Sequence, residues 1–132
     1  MSGFNVALFR ALGIPCGIDR VVQNPHRIGS HMWTFMVDTN GRKLPYLWNY
    51  YNIDREERME EKYGKVYRDY FSVQTTNWAV SYPDEDIPGI LKKPFLRDVS
   101  DEYFGRNVAV VPLYDSAGDC RLCYLAVFNN AG

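Results

Sequence analysis

The feature that most constrains this chain is the dipeptide Asn40-Gly41, set between two runs rich in aromatic and aliphatic residues. Both central positions of a type I′ turn need positive φ, so Asn-Gly between such runs predicts a β-hairpin, here over residues 29–52. His31 stands at its mouth. Period-2 alternation puts His31 on one face with Trp33, Phe35 and Val37, a titratable ring on an otherwise apolar surface. A packed, hydrogen-bonded histidine is the plainer reading, and a functional one needs a partner from elsewhere in the chain.

Two registers fit the hairpin. A two-residue loop pairs Thr39 with Arg42 and then sets Asp38 opposite Lys43, Phe35 opposite Tyr46, Trp33 opposite Trp48 and His31 opposite Tyr50. It is favoured because it matches apolar with apolar on the His31 face and joins opposite charges on the other. A three-residue loop sets Phe35 opposite Pro45 and Trp33 opposite Leu47, and brings His31 to Asn49, whose amide could orient an imidazole.

Phe4, Ala7, Leu8, Ala11 and Leu12 recur at helical spacing, and Gly13 with Pro15 ends the pattern. Residues 18–22 read as a short strand and residues 23–30 as a loop. After the hairpin, Asp54 with Glu57 has the form of a capping box. Met59, Tyr63, Val66, Tyr67 and Tyr70 then lie on one helical stripe, which predicts the longest helix. Asp54 with Arg58 and Glu61 with Lys65 have the spacing of supporting ion pairs. Residues 72–94, with Pro83, Pro88 and Pro94, read as a connector holding at most short strands. Beyond it, residues 95–99 and 107–114 read as strands, 100–104 as a turn or short helix, and 116–119 as a loop into a strand over 121–128. The fold class expected is α+β: an antiparallel sheet with a central β-hairpin packed against helices, plus a partial C-terminal β unit. The organisation expected is a core over residues 1–71, a connector over 72–94 and a partial β domain over 95–132.

Composition narrows the partners. The net charge of −1 over 132 residues gives no general attraction to nucleic acid or to anionic membranes, and no apolar run approaches a membrane span. Neither nucleic-acid binding nor membrane insertion is expected, and no cofactor is implied. Cys120 and Cys123 are spaced C-x₂-C, but no second pair or suitably spaced histidines accompany them, so no metal site is assigned and reduced thiols are the reading. Aromatic residues reach 15%, which points to a core of large side chains or to a surface that stacks on ligands.

The run Arg10-Ala11-Leu12-Gly13-Ile14-Pro15, a further strand, and then Gly29-Ser30-His31-Met32-Trp33 before a turn with Asn40-Gly41 resembles the transglutaminase-like superfamily. The resemblance covers residues 4–50. Lys65-Val66-Tyr67-Arg68 and residues 94–104, above all Asp98-Val99-Ser100-Asp101-Glu102-Tyr103-Phe104, look like segments that follow such a core in large exported bacterial multidomain proteins. The resemblance implies a Cys-His-Asp triad in which a thiolate attacks a glutamine or peptide carbonyl, with His31 at the histidine position. The family's cysteine heads the helix that ends in Ala-Leu-Gly-Ile-Pro, a point that falls before residue 1. Cys16 follows that helix and reads as a core thiol, since a helix C-terminus disfavours a thiolate. Leu47 aligns with the family's aspartate, and Asp38 stands at the far end of the strand from His31.

The expectation is therefore a truncated transglutaminase-like domain that does no thiol chemistry as it stands, from a parent protein that is exported. Its localisation is not readable from these residues. The alternative is a non-catalytic carbohydrate- or peptide-binding module, in which Trp33, Trp48, Asn49 and Tyr50 offer stacking faces and amide bonds to a protein, peptide or glycan ligand. An incompletely covered apolar helix and open strand edges also lead to an expectation of self-association.

Overall fold

The computed structural model describes residues 2–22, 29–46, 64–89, 91–106, 108–112 and 121–124. They form an α+β fold: helix α1 (Ser2–Ala11), strands β1 (Cys16–Val21), β2 (His31–Val37), β3 (Lys43–Tyr46) and β4 (Val66–Asp69), helix α2 (Trp78–Ser81), strand β5 (Leu96–Asp98) and helix α3 (Ser100–Phe104). The strands make one antiparallel sheet in the order β3-β2-β1-β4-β5.

Helix α1 stops where the sequence says it should. Gly13 takes a φ of +75°, and the N–H groups of Gly13 and Ile14 donate to the carbonyls of Arg10 (3.0 Å) and Phe9 (2.8 Å), closing the last turn in a Schellman arrangement. The stripe of Phe4, Ala7, Leu8, Ala11 and Leu12 faces outward, while Val6 and Phe9 face the sheet. Polar tethers fix that choice: the Cys16 thiol donates to the Val6 carbonyl (3.6 Å), the Thr34 hydroxyl to the Ser2 carbonyl (3.3 Å) and the Ser2 hydroxyl to the Met32 carbonyl (3.1 Å). Phe9 meets Tyr46 edge-on, with ring centroids 5.1 Å apart.

The hairpin takes the three-residue loop. Phe35 lies opposite Pro45, Met36 opposite Leu44 and Val37 opposite Lys43, so the favoured two-residue register is overturned. Asp38 is the reason. Its carboxylate accepts the backbone N–H groups of Asn40 (2.9 Å) and Arg42 (2.8 Å), the Gly41 N–H donates to the Asp38 carbonyl (3.0 Å), and Gly41 supplies the positive φ of +79° that a type I turn with a bulge requires. This register also turns the nitrogen of Pro45 away from β2, on an edge strand where a missing N–H costs no ladder bond. Asp38 is thereby committed to its own turn rather than to Lys43.

Residues 66–69 are a strand, not the end of a long helix. Val66 and Arg68 are buried on one face and Tyr67 and Asp69 half-buried on the other, a period of two, and β4 pairs with β1 and β5 on its two sides. Lys65 bonds Asp98 at 2.7 Å, and Glu61, the helical partner expected for it, lies outside the described residues. The expected helix residues 54–63 lie outside the described residues, as do the loop 116–119 and residues 125–128 of the strand expected over 121–128. Residues 108–112 and 121–124 carry no strand. Strand β5 and helix α3 fall where expected, but β5 joins the same sheet as the hairpin. The connector contains α2, whose N-cap Asn77 accepts the Ala79 N–H (2.9 Å) while its amide donates to the carbonyls of Lys93 (2.9 Å) and Leu96 (3.0 Å). The second of these bonds covers a carbonyl at the outer edge of β5, which blunts that edge.

The sheet thus has an α1 face, with Cys16, Ile18, Met32, Thr34 and Met36, and an opposite face that carries Gly17, Asp19, Val21, His31, Trp33, Phe35, Val66 and Arg68. The core on this second face is Val21, Trp33, Val66 and Val99, with Tyr103 of α3 packed against it. Among the described residues no helix is long and apolar enough to cross a membrane.

Candidate functional site

His31 opens β2 opposite Val21, and its ring stacks on that of Trp33 with centroids 5.8 Å apart and planes 29° from parallel. The sequence thus named two residues that the fold brings together. Trp33 is only 1% exposed, and its indole N–H donates to the Tyr103 hydroxyl at 2.9 Å with the two rings edge to face. Its role is to join β2 to α3. Trp48, Asn49 and Tyr50 lie outside the described residues, as does Leu47.

From Tyr103 a polar chain runs under α3 into the sheet. The Tyr103 hydroxyl donates to Asp19 Oδ2 at 2.6 Å, and Arg68 clamps the same carboxylate with two bonds of 2.8 Å, Nε to Oδ1 and Nη2 to Oδ2. Arg68 Nη1 donates to Glu102 Oε2 at 2.8 Å, and Lys43 Nζ stands 3.7 Å from that oxygen. The guanidinium lies over the Phe35 ring, 4.2 Å from its centroid. Neighbouring β1 carries Gly17 opposite Phe35, where any Cβ would fall 2.7 Å from two ring carbons. The missing side chain is what lets the Phe35 ring lie across β1.

Asp19 and Arg68 are 0% and 2% exposed, a cost that only a nearly complete set of hydrogen bonds can offset. Asp19 accepts three. Burial works against the charge on Arg68, but the bonds to Asp19 and Glu102 outweigh it and hold the guanidinium protonated more firmly than usual. Burial, the Asp19 charge and the bond to Asp19 push the Tyr103 phenol well above the ordinary tyrosine range. A phenol held this way donates a hydrogen bond and does not act as a base near neutrality. The arrangement is a fully engaged ionic core and not a poised acid-base pair.

Cys16 is remote from this chemistry. It pairs with Met36 at one end of the β1–β2 ladder and turns its thiol to α1, whereas His31 pairs with Val21 at the other end and turns to the α3 face. Among the described residues no three of His, Cys, Asp and Glu cluster as metal ligands.

Sequence reasoning missed Asp19, Arg68, Glu102 and Tyr103. The one local signal is Asp19, a carboxylate in the strand Ile18-Asp19-Arg20-Val21 whose alternation puts it on the same buried face as Val21. No family model, no curated protein and no solved structure matches this chain.

Proposed function

We propose that residues 4–50 are a transglutaminase-like core, with His31 at the histidine position, that performs no thiol-dependent acyl transfer through Cys16. The order of elements supports the likeness: a helix ends at Ala-Leu-Gly-Ile-Pro, an antiparallel strand follows, and His31 is the first residue of the next strand. The observation that carries the inactive reading is the separation of Cys16 and His31 onto opposite faces and opposite ends of the β1–β2 ladder. A thiolate and its proton relay must lie within hydrogen-bond reach, and these two do not. Asp38, engaged by its own turn, is no orienting acid for His31.

The function that remains is contact with a protein, peptide or glycan. The test is incubation of the full chain with a glutamine-containing peptide and a fluorescent primary amine, and separately with the peptide alone. No amine incorporation and no hydrolysis is the expected result. Turnover that disappears in Cys16→Ala would overturn the reading.

A further inference from the structure

A cleft of about 280 Å³ lies between β4, β5 and α2, lined among others by Tyr67, Thr76, Trp78, Leu91, Leu96 and Asp98. It is distinct from the His31–Trp33 face. Tyr67 and Asp98 are register partners and project from the α1 side of the sheet, beyond the edge of α1 itself. Trp78 is 42% exposed, and Tyr124 braces its ring from 5.6 Å. The cleft therefore offers an aromatic wall with an open face, apolar side chains at Leu96 and Leu91, and polar groups from the sheet at Tyr67 and Asp98 and from the turn before α2 at Thr76.

Those polar groups have capacity to spare. Neither the Tyr67 hydroxyl nor the Thr76 hydroxyl is engaged in a hydrogen bond among the described residues. Asp98 accepts from Lys65 Nζ (2.7 Å) and from the backbone N–H (2.9 Å) and hydroxyl (2.5 Å) of Ser100, so its charge is balanced within the chain while a carboxylate retains lone pairs for one more donor. Asn77, by contrast, has its amide fully committed to the backbone.

We propose that this cleft binds one gluco-configured pyranose ring of a neutral glycan. A pyranose with equatorial hydroxyls has a flat C–H face that packs on an indole, and a rim of hydroxyls that both donate and accept. Trp78 takes the face, the hydroxyls of Tyr67 and Thr76 bond the rim, and Asp98 accepts from a sugar hydroxyl. A plain aromatic or aliphatic side chain would fill the same volume but leave those groups without partners on losing water, which costs affinity. Arg97 lines the cleft as well as Asp98, so the two opposite charges favour a ligand with no net charge. The Tyr67 phenol is pushed up to about 12 by burial and by the Asp98 charge, so at neutral pH it remains a donor. The volume admits a single ring, so the expected affinity is weak and a longer glycan gains only by contacts outside the cleft. This site does not depend on the transglutaminase-like reading, since no residue of that reading lines it.

The test is a titration of the full chain with cellotetraose, a β-linked glucopyranose tetramer, following the indole N–H resonances by heteronuclear NMR. The Trp78 signal should shift saturably while that of Trp33, hydrogen-bonded in the core, stays in place. With binding followed in the variants by the backbone amide shifts of Thr76 and Asp98, Trp78→Ala should weaken it roughly tenfold, the loss of one aromatic stacking face, and Trp78→Phe should restore part of it. The unshifted Trp33 resonance reports that each variant is folded. A tetramer of β-linked galactose, with one axial hydroxyl per ring, should bind several-fold more weakly. Absence of a saturable Trp78 shift would overturn the proposal. So would equal response to both sugars, or tighter response to N-acetyl-phenylalanine amide, which would make the cleft a peptide site.

Discussion

Arg68 and Asp19 meet through two parallel hydrogen bonds of 2.8 Å at the centre of the sheet, with both side chains almost wholly removed from water. One comes from β4 and the other from β1, so the pair joins strands whose residues are 49 positions apart. With Tyr103 and Glu102 it also ties α3 to the sheet, and Trp33 completes the chain of bonds beneath His31.

Removing one member of that pair strands the other. Arg68→Met leaves the Asp19 carboxylate buried with only the Tyr103 hydroxyl, and the expected loss of stability is about 3–5 kcal/mol. The double variant Asp19→Leu with Arg68→Met should recover most of it, because no uncompensated charge is left. Urea unfolding of the three proteins measures both, and a double variant no better than the single one would contradict the account.

Gly17 and Phe35 make a steric prediction. With a Cβ 2.7 Å from two carbons of the ring, Gly17→Ala must displace Phe35 from its place beneath the Arg68 guanidinium. The expected cost is about 1–3 kcal/mol, as for other overpacked cores. Phe35→Leu in the same chain should relieve part of it in thermal unfolding, so that the two changes together cost less than their sum.

What could be read from the sequence follows from how local its determinants are. The end of α1 at Gly13, the strand opening at His31, and β5 followed by α3 rest on residues within a few positions of one another, and all are found. The hairpin's existence was legible in Asn40-Gly41, but its register was not. Cross-strand pairing alone favoured a two-residue loop, and the Asp38 carboxylate, bonding two N–H groups of its own turn, decided otherwise. Val66, Tyr67 and Tyr70 fit a helical stripe in sequence, yet strands β1 and β5 on both sides of β4 impose a period of two. The ionic core was least legible, since Asp19, Arg68 and Tyr103 are distant in sequence and only Asp19, sharing a strand face with Val21, carries a local hint of burial.

The turn itself can be tested through Asp38. Asp38→Ala removes both side-chain acceptor bonds, at Asn40 and Arg42, and should cost about 1 kcal/mol in an exposed loop. Gly41→Ala should cost about as much by forcing an alanine to a φ of +79°. If Asp38→Ala left the urea midpoint unchanged, the carboxylate would not be what sets the register.

Helix α1 presents Phe4 (73% exposed) and Leu12 (66% exposed) with Leu8 between them on one outward stripe, and Phe71 lies near, beneath the Arg10 guanidinium. A helix apolar on both sides favours contact with another apolar surface. Self-association that rises with concentration is therefore expected in sedimentation velocity, and Leu8→Lys with Leu12→Lys should reduce it without unfolding the chain. A monomer at all concentrations before substitution would count against this.

The last prediction concerns alkaline pH and isolates Tyr67. Burial, and after it the charge of Asp98, pushes its phenol from the ordinary value of 10 up to about 12 in the folded chain. A raised pKa means that the folded state holds this proton more tightly than the unfolded state. Below about pH 10 both states keep it and the contribution to stability is fully present; between about 10 and 12 the unfolded chain releases it first, so stability falls as pH rises. Tyr103, also raised, acts in the same direction and remains in a Tyr67→Phe variant. The informative quantity is therefore the difference between the two proteins. The drop in urea midpoint from pH 9 to pH 11 should be smaller in Tyr67→Phe, and the phenolate absorbance should lose a component with a midpoint near 12. An identical drop in both would place Tyr67 in open solvent, and would remove it as a donor from the wall of the cleft beside Trp78.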